Sequence, residues 1–470
     1  MHITTTRETR CANAAAPLPP ALDPVDPVKM SALPARACSE ALSGSAALYR
    51  QPRGADLLRR SAPLEAWCAL RIRHGLWPYC RTLEGPPTAQ AMVAGDGGPA
   101  AHGINFASQD YLSLAAHPAV RDAAVRTLLE CGPHSAGSAS LLVNSRHSQA
   151  LECALGELLR CQHVVLFPTG WDAAFGAITA LVHGADHVVI DALAHAALRQ
   201  GAAAATRKVA AYRHLDCDHV RELLAGIRAV DTTGAILVVT EGLFGMDADS
   251  PDLPLMQYLC RAYGATLLVD VAHDLGAMGP GGGGVIAAQG MQGKIDLVMG
   301  TFSKTFASDG GFVACAQQGV RRQLQLFAGP DMCSSALSPV QAATVLACLR
   351  IVASAEGDAL RAELLRNAVE LRALLAGEGV ACMGEPAPIV PVWTGLESAT
   401  RIAGMLLARE QVFVNPIEFP GVPLGAARLR LQLMARHTPG QIRRGARLLV
   451  AAVQRAGAAP WPERRRMHPV

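Results

Sequence analysis

Short apolar runs alternate with helical patterns through the middle of this chain, and glycine, proline or polar residues bound most runs. The runs lie at Val164–Pro168, Val188–Ile190, Ala235–Thr240, Thr266–Asp270 and Ile295–Met299. Strands that alternate with helices predict an α/β domain whose sheet is mostly parallel and buried.

The chain divides into four predicted segments. Residues 1–60 are rich in Ala, Pro, Ser and Arg with little periodicity, which predicts a weakly ordered N-terminal extension. Residues 61–115 are predicted to form an N-terminal helix and strand segment, and residues 116–338 a large domain that holds the sheet. Residues 339–460 are predicted to form a smaller C-terminal α+β domain, which opens with a long helical stretch to Gly377 and has strand candidates at Ile389–Trp393, Val412–Val414 and Arg428–Leu433.

Composition excludes several classes of function. The 470 residues carry a net charge of +3, so no broad basic surface for nucleic acid is expected, and the short tail Arg464–Arg466 is interpreted as a solvated end. The 13 cysteines are scattered without CxxC pairs or metal-ligand spacing, which predicts free thiols, a reducing compartment and no metal site. No apolar run reaches membrane-spanning length and no signal pattern opens the chain, so a soluble cytoplasmic protein is expected.

A single lysine stands in a hydroxyl-rich loop after the last of these runs. The run breaks at Gly300, Lys304 follows, and Gly310-Gly311 leads into a second apolar run. A lysine held between two strands is desolvated, and desolvation lowers its pKa and leaves a nucleophilic amine. Thr301 and Ser303 are natural phosphate donors, so the loop suggests a Schiff-base lysine beside a phosphate cup, as in a pyridoxal phosphate (PLP) enzyme. The alternative, an ordinary surface lysine, is about equally compatible with this loop alone.

Two residues after the preceding strand complement that lysine. Asp270 ends the strand, where a carboxylate can keep a pyridinium nitrogen protonated, and His273 can reach the edge of the same ring. Either residue alone is more often structural, because a strand-end acid also caps helices. The two residues together, upstream of the Ser-Lys loop, are a fairly specific sign of a PLP site.

Three further patterns are individually weak. Thr169-Gly170-Trp171 follows a strand and opens a helix, which suits an anion site, although an ordinary turn is the favoured alternative. His195 follows another strand end and could stack on an aromatic cofactor, or it could be a structural histidine. Arg428 and Arg430 alternate with leucine on one face of a strand, which suits carboxylate binding or simply a solvated face.

In this order, the patterns resemble the α-oxoamine synthase family of fold-type I PLP-dependent enzymes, over roughly residues 64–455. The matching stretches are Asn105–Leu112, Leu166–Trp171, Asp191–Ala196, Thr240–Asp247, Asp270–His273, Gly300–Lys304, Gly310-Gly311 and Arg428–Arg430. The resemblance implies a large domain with a mostly parallel seven-stranded sheet, a smaller C-terminal domain and a homodimer with shared active sites. It implies a decarboxylative Claisen condensation of a small amino acid with an acyl thioester, carried by coenzyme A or an acyl carrier protein, to an α-amino ketone.

The resemblance also implies residue roles. The catalytic residues would be Lys304, which binds PLP covalently, Asp270 at the pyridinium nitrogen, His273 at the phenolic oxygen and His195 on the ring face. Phosphate would be held by Thr301 with Thr169, Gly170 and Trp171, and by Ser334 or Ser335 from the neighbouring subunit. Substrate would meet Arg430, which binds the amino-acid carboxylate, Gln109 near the entrance and Ser138 in the Gly/Ser-rich loop.

Several positions depart from the family pattern. Gln109 replaces an asparagine, Ala307 a glycine, and Gly245 a hydroxyl residue, so one polar contact is expected to be missing at 245. The segment 415–423 lacks the arginine found nearby in amino-oxononanoate synthase, which argues against the biotin and heme pathways and leaves the acyl partner open. The main alternative function is a PLP-dependent aminotransferase or retro-aldol lyase. A non-catalytic subunit ranks lower because Lys304 and its partners are present.

Overall fold

The computed structural model describes residues 38–95 and 100–458, so the start of the predicted N-terminal extension and the tail Arg464–Arg466 lie outside the described residues. The helices are α1 Cys38–Leu42, α2 Ala62–Arg73, α3 Pro118–Cys131, α4 Arg146–Leu159, α5 Gly170–Leu181, α6 Ala196–Ala205, α7 Cys217–Val230, α8 Leu253–Ala262, α9 Gly284–Ala288, α10 Gln318–Phe327, α11 Gly329–Met332, α12 Pro339–Val352, α13 Ala355–Gly377, α14 Glu397–Arg409 and α15 Pro439–Ala458. The strands are β1 Thr82–Glu84, β2 Gln90–Ala94, β3 Ala101–Asn105, β4 His163–Phe167, β5 His187–Asp191, β6 Val209–Tyr212, β7 Ile236–Glu241, β8 Thr266–Asp270, β9 Leu297–Thr301, β10 Gly311–Cys315, β11 Ile389–Gly395, β12 Val412–Phe413, β13 Asn415–Ile417 and β14 Ala427–Gln432.

A seven-stranded sheet forms the centre of the large domain, in the order β4-β10-β9-β8-β7-β5-β6. Strands β9, β8, β7, β5 and β6 are parallel, and β10 is antiparallel to both β4 and β9. Apolar side chains are buried on both faces, as expected for strands covered by helices. The predicted fold class, an α/β domain with a mostly parallel sheet, is confirmed.

The strand that precedes Lys304 begins and ends later in the chain than predicted. It spans Leu297–Thr301 rather than Ile295–Met299, so Gly300 lies inside the strand instead of ending it. Gly300 pairs with Phe312 of β10, and a Cβ at Gly300 would approach the Phe312 ring to 2.8 Å. The glycine therefore makes room for a cross-strand aromatic ring, and Thr301 stands on the strand end. Strand β6 was not predicted.

The predicted long helical stretch after Pro339 is two helices. Helices α12 and α13 meet at an angle of 80°, and the Ser354 side chain caps the second by accepting from the backbone N–H of Gly357. Within the described ranges, no single helix is long and apolar enough to cross a membrane; this bent pair meets the criterion only when taken together.

Two small sheets flank the large one. Strands β11, β14 and β13 form an antiparallel sheet, and β1, β2, β3 and β12 form another. In the second sheet Val412 pairs with Ile104, so the predicted strand Val412–Val414 joins the N-terminal hairpins rather than the other C-terminal strands. Segments 61–115 and 339–460 thus share a sheet, and the four-segment division stays a prediction.

Candidate active site

The ends of parallel strands bring two acids together with the predicted lysine. Asp270 ends β8 and is in register with Glu241 at the end of β7, and both are buried. Burial raises the pKa of Asp270 to about 6, against the opposing effect of the Lys304 charge and a 2.9 Å hydrogen bond from the Ala272 N–H. Burial lowers the pKa of Lys304, and Asp270 and Glu241 oppose that shift. These residues lie close enough for their charges to interact.

Lys304 sits in a short turn between β9 and β10. Phe302 N–H donates to the Gly310 carbonyl at 2.9 Å, and Ala307 N–H donates to the Lys304 carbonyl at 3.1 Å. Ala307 adopts a positive φ of 50°, the conformation in which a glycine would be unstrained. Since Phe302 and Phe306 are fully buried beneath the turn, the backbone that carries the lysine is anchored in the core.

A second feature, the helix α5 N-terminus, faces the end of β9. Thr301 Oγ1 lies 2.9 Å from Ser303 Oγ, and a Cβ at Gly170 would come within 2.6 Å of Thr301 Oγ1. Thr169 Oγ1 is engaged as the helix cap, because it accepts from the Asp172 N–H at 3.0 Å. The first-turn N–H groups at Gly170 and Trp171 therefore form a cradle suited to a phosphate. The Thr301 hydroxyl lies beside this cradle and donates to the Gly310 carbonyl at 3.1 Å.

His195 lies beside this cradle, at the start of α6. Its ring packs edge-on against Trp171 with the centroids 5.8 Å apart, and its backbone N–H donates to Glu241 Oε1 at 2.7 Å. Desolvation by the surrounding protein and the nearby Lys304 charge lower the pKa of His195 to about 4. The imidazole is thus neutral at pH 7 and can lie flat on an aromatic cofactor. Sequence reasoning missed Glu241 as a site residue, although it ends an apolar strand as Asp270 does.

His273 is fixed by contacts that the sequence did not reveal. Its Nδ1 lies 2.9 Å from the Tyr111 hydroxyl, and a Cβ at Gly245 would come within 2.3 Å of its Nε2. Burial, Lys304 and Arg430 lower the pKa of His273 well below its ordinary value. A neutral ring that accepts the Tyr111 proton at Nδ1 carries its own proton on Nε2. A side chain at position 245 would therefore force His273 to move.

The two arginines of β14 share one face, as predicted, but have different partners. Arg428 Nη1 lies 2.7 Å from Asp247 Oδ1 and donates to the Met246 carbonyl at 2.9 Å. Arg430 donates to the Gly245 carbonyl at 3.1 Å, and with the Gln432 amide oxygen assigned toward it, Arg430 Nε donates to that oxygen at 2.7 Å. Within residues 38–95 and 100–458, no carboxylate pairs with Arg430. Of the two, Arg430 has its charge available for a ligand.

Other predicted residues lie elsewhere. Ser138 Oγ donates to the Asp331 carbonyl at 3.2 Å, and Ala336 N–H donates to the Gly137 carbonyl at 2.8 Å. The Gly/Ser-rich loop thus packs on the segment that holds Ser334 and Ser335, which are exposed. Gln109 is half-buried. Among the described residues, no hydrogen bond joins its side chain to Lys304.

The residues brought together fit PLP. Lys304 offers the amine, Asp270 a carboxylate for the ring nitrogen, and His195 a flat neutral ring. The cradle supplies phosphate donors, and Gly170 keeps it open because any Cβ there would meet Thr301. This donor set matches the needs of a phosphorylated pyridine aldehyde.

The chain is similar in sequence and in structure to known proteins. The family described as aminotransferase class I and II matches residues 101–449. The 8-amino-7-oxononanoate synthase of Anaeromyxobacter dehalogenans (strain 2CP-1) is 36% identical over 385 residues, which cover 81% of this chain and 92% of that protein. The serine palmitoyltransferase of Sphingobacterium spiritivorum is 32% identical over 382 residues, covering 81% and 93% of the two chains.

A solved structure has the same fold. It is a lysine-to-alanine variant of serine palmitoyltransferase from S. paucimobilis with a bound PLP–myriocin aldimine. Its TM-score is 0.80 at 28% identity, and the match covers 86% of this chain and all of that one. The chain therefore belongs to the α-oxoamine synthases, a PLP-dependent branch of the aminotransferase class I and II family.

Proposed function

We propose that this protein is a PLP-dependent C-acyltransferase that condenses a small amino acid with an acyl thioester and releases CO2. The observation that carries the proposal is the buried cluster in which the charges of Lys304 and Asp270 interact. Arg430 of β14 is near enough to act on Lys304 as well, and no described carboxylate pairs with it. The relatives named 8-amino-7-oxononanoate synthase and serine palmitoyltransferase support this reaction over transamination or retro-aldol cleavage.

The residues divide the chemistry between them. Bound PLP supplies an electron sink for the carbanion at the amino-acid α-carbon. Arg430 would hold the substrate carboxylate, and Lys304, which would hold the cofactor before substrate binds, would take up the α-proton at Nζ. The α-carbon then bonds to the thioester carbonyl carbon, the C–S bond breaks and the thiol leaves. The carboxylate departs as CO2, and the proton held by Lys304 returns to the α-carbon, which gives the α-amino ketone.

The experiment pairs amino acids with acyl donors. Protein loaded with PLP is incubated with glycine, alanine or serine and with acyl-coenzyme A or acyl carrier protein thioesters, and products are identified by mass spectrometry. We expect a ketone only when both substrates are present, and none from Lys304→Ala. Transfer of the amino group to a keto acid without any thioester would contradict the proposal.

We also propose a cytoplasmic homodimer in which Ser334 or Ser335 reaches the phosphate site of the partner. The exposure of both serines supports this arrangement, and the free thiols of the described cysteines support a reducing compartment. A mixture of Lys304→Ala protein with a Ser334→Ala/Ser335→Ala double variant tests the shared site. Both defects fall on one of the two sites in a mixed dimer, so the other site regains activity. If the activity of the mixture were only the sum of the activities of the two variants, the shared site would be contradicted.

A further inference from the structure

Three side chains that commonly bind metals converge at the two ends of the Gly/Ser-rich loop, and none of them belongs to the Lys304 site described above. Glu130 and Cys131 end α3, and His147 stands in the first turn of α4. One donor atom from each residue, a carboxylate oxygen, a thiol sulfur and an imidazole nitrogen, lies within 4.8 Å of the other two. Since Glu130 and Cys131 are exposed and His147 is half-buried, a cation in solution can reach all three.

The separation of the sulfur and the nitrogen suits a single tetrahedral metal ion. Cys131 Sγ lies 3.9 Å from His147 Nε2. In a tetrahedral zinc site, zinc–sulfur and zinc–nitrogen bonds of about 2.3 and 2.0 Å place those two atoms roughly 3.6 Å apart. The two side chains would therefore need to close by only a few tenths of an ångström, which rotation of side chains at the surface allows.

The end of helix α3 also favours a cation. Carbonyl groups at a helix C-terminus carry partial negative charge, which a cation stabilises and a carboxylate opposes. Glu130 stands in the last turn of α3, and that turn contains no basic residue. Arg146 Nη2 lies 2.7 Å from Glu130 Oε2, but both side chains are more than half exposed, so this ion pair is weak. The carboxylate has a second oxygen, which can bind a metal ion.

A metal ion at this position would join the two ends of the loop. The middle of the loop is already attached to neighbouring helices, because Ser140 Oγ donates to the Gln325 carbonyl of α10 at 2.9 Å and Ser138 Oγ donates to the Asp331 carbonyl of α11 at 3.2 Å. A link between the ends of a loop reduces the conformational freedom of the residues between them. Metal binding would thus restrict residues 132–146, which these contacts hold only at their centre.

We propose that Glu130, Cys131 and His147 bind one Zn²⁺ ion, which ties the two ends of the Gly/Ser-rich loop together. Thiolate and imidazole ligands favour Zn²⁺ over Mg²⁺ and Ca²⁺, which prefer oxygen, and three protein ligands leave the fourth tetrahedral position to water. The cysteine spacing predicted no metal site, because residues 132–146 separate Cys131 from His147 along the chain and only the packing of α3 and α4 brings them together.

Equilibrium dialysis of the PLP-loaded, full-length protein against Zn²⁺ tests the proposal, with a reducing agent that contains no thiol. We expect Cys131→Ala and His147→Ala each to bind one equivalent of zinc fewer per chain than the wild type. Cys153→Ala should lose none, and it is the matched control because Cys153 is an exposed thiol on α4. Dialysis against Mg²⁺ should show no difference among these proteins.

Two further measurements separate this site from adventitious binding. In the wild type, X-ray absorption at one equivalent of zinc should show sulfur in the metal's coordination shell, and Zn²⁺ should slow amide hydrogen exchange across residues 132–146. The slowing should persist in Cys153→Ala and disappear in Cys131→Ala. Equal zinc content in the wild type, Cys131→Ala and His147→Ala overturns the proposal, as does a coordination shell without sulfur. Zinc binding that leaves the exchange of residues 132–146 unchanged overturns the link between the loop ends.

Discussion

The Tyr111 hydroxyl lies 2.9 Å from Nδ1 of His273, and both side chains are buried. With the Gln432 amide oxygen assigned toward Arg430, the amide nitrogen of Gln432 lies 3.4 Å from the same hydroxyl. A hydrogen-bonded series thus links the predicted carboxylate-binding arginine to the histidine predicted to contact the phenolic oxygen of PLP. Such a series fixes which ring nitrogen of His273 carries the proton.

Tyr111→Phe should weaken PLP binding by about two- to tenfold, the range expected for one buried hydrogen bond. His273 would lose its donor at Nδ1, and the absorbance maximum of the bound cofactor should shift. Titration with PLP and pH-dependent absorbance spectra measure both effects. Tyr212→Phe is a matched control, because its buried hydroxyl donates to the Val239 carbonyl at 3.2 Å. Equal spectra for the wild type and Tyr111→Phe would contradict the role of the series.

Gly245→Ser should weaken PLP binding rather than improve it. The new Cβ would lie 2.3 Å from His273 Nε2, so the imidazole must move, at a cost of about 1–3 kcal/mol. A titration of the variant with PLP and its melting temperature measure the effect. Gly226→Ser is the control, since nothing lies within 4 Å of a Cβ built at that exposed glycine. Tighter PLP binding in Gly245→Ser would instead support a simple missing polar contact.

Strand-end residues could be predicted from the sequence, whereas contacts between distant segments could not. Asp270 lies where its apolar run placed it, at the end of β8, whereas the run before Lys304 stopped at Met299, short of the end of β9 at Thr301. Glu241 could have been found by the same rule. The approach of His273 to Gly245, and the pairing of β12 with β3, depend on how separate segments pack, and no local pattern encodes them.

His214 should make stability depend on pH above neutrality. Burial alone lowers its pKa, but hydrogen bonds to Asp191 and Asp249 outweigh burial and raise it to about 10. Because the folded-state pKa exceeds the ordinary value of 6.5, this stabilisation is complete below pH 6.5 and disappears as pH rises toward 10. The free energy of unfolding should fall by about 1–3 kcal/mol more in the wild type than in His214→Gln. Urea unfolding at several pH values measures this difference. If the free energy of unfolding depended on pH equally in the wild type and in His214→Gln, the prediction would be contradicted.

Substitution of Arg430 should weaken substrate binding, whereas substitution of Arg428 should lower stability. Arg430→Gln removes a guanidinium that no described carboxylate neutralises, so KM for the amino acid should rise by about 10- to 100-fold with little change in melting temperature. Arg428→Gln instead leaves Asp247 without its partner at 2.7 Å, and stability should fall by about 3 kcal/mol or more. Each variant serves as the control for the other, because the two side chains lie on one face of β14. Steady-state kinetics and thermal unfolding on both proteins measure the difference. A large KM effect from Arg428→Gln with unchanged stability would reverse the assignment and make Arg428 the carboxylate-binding residue.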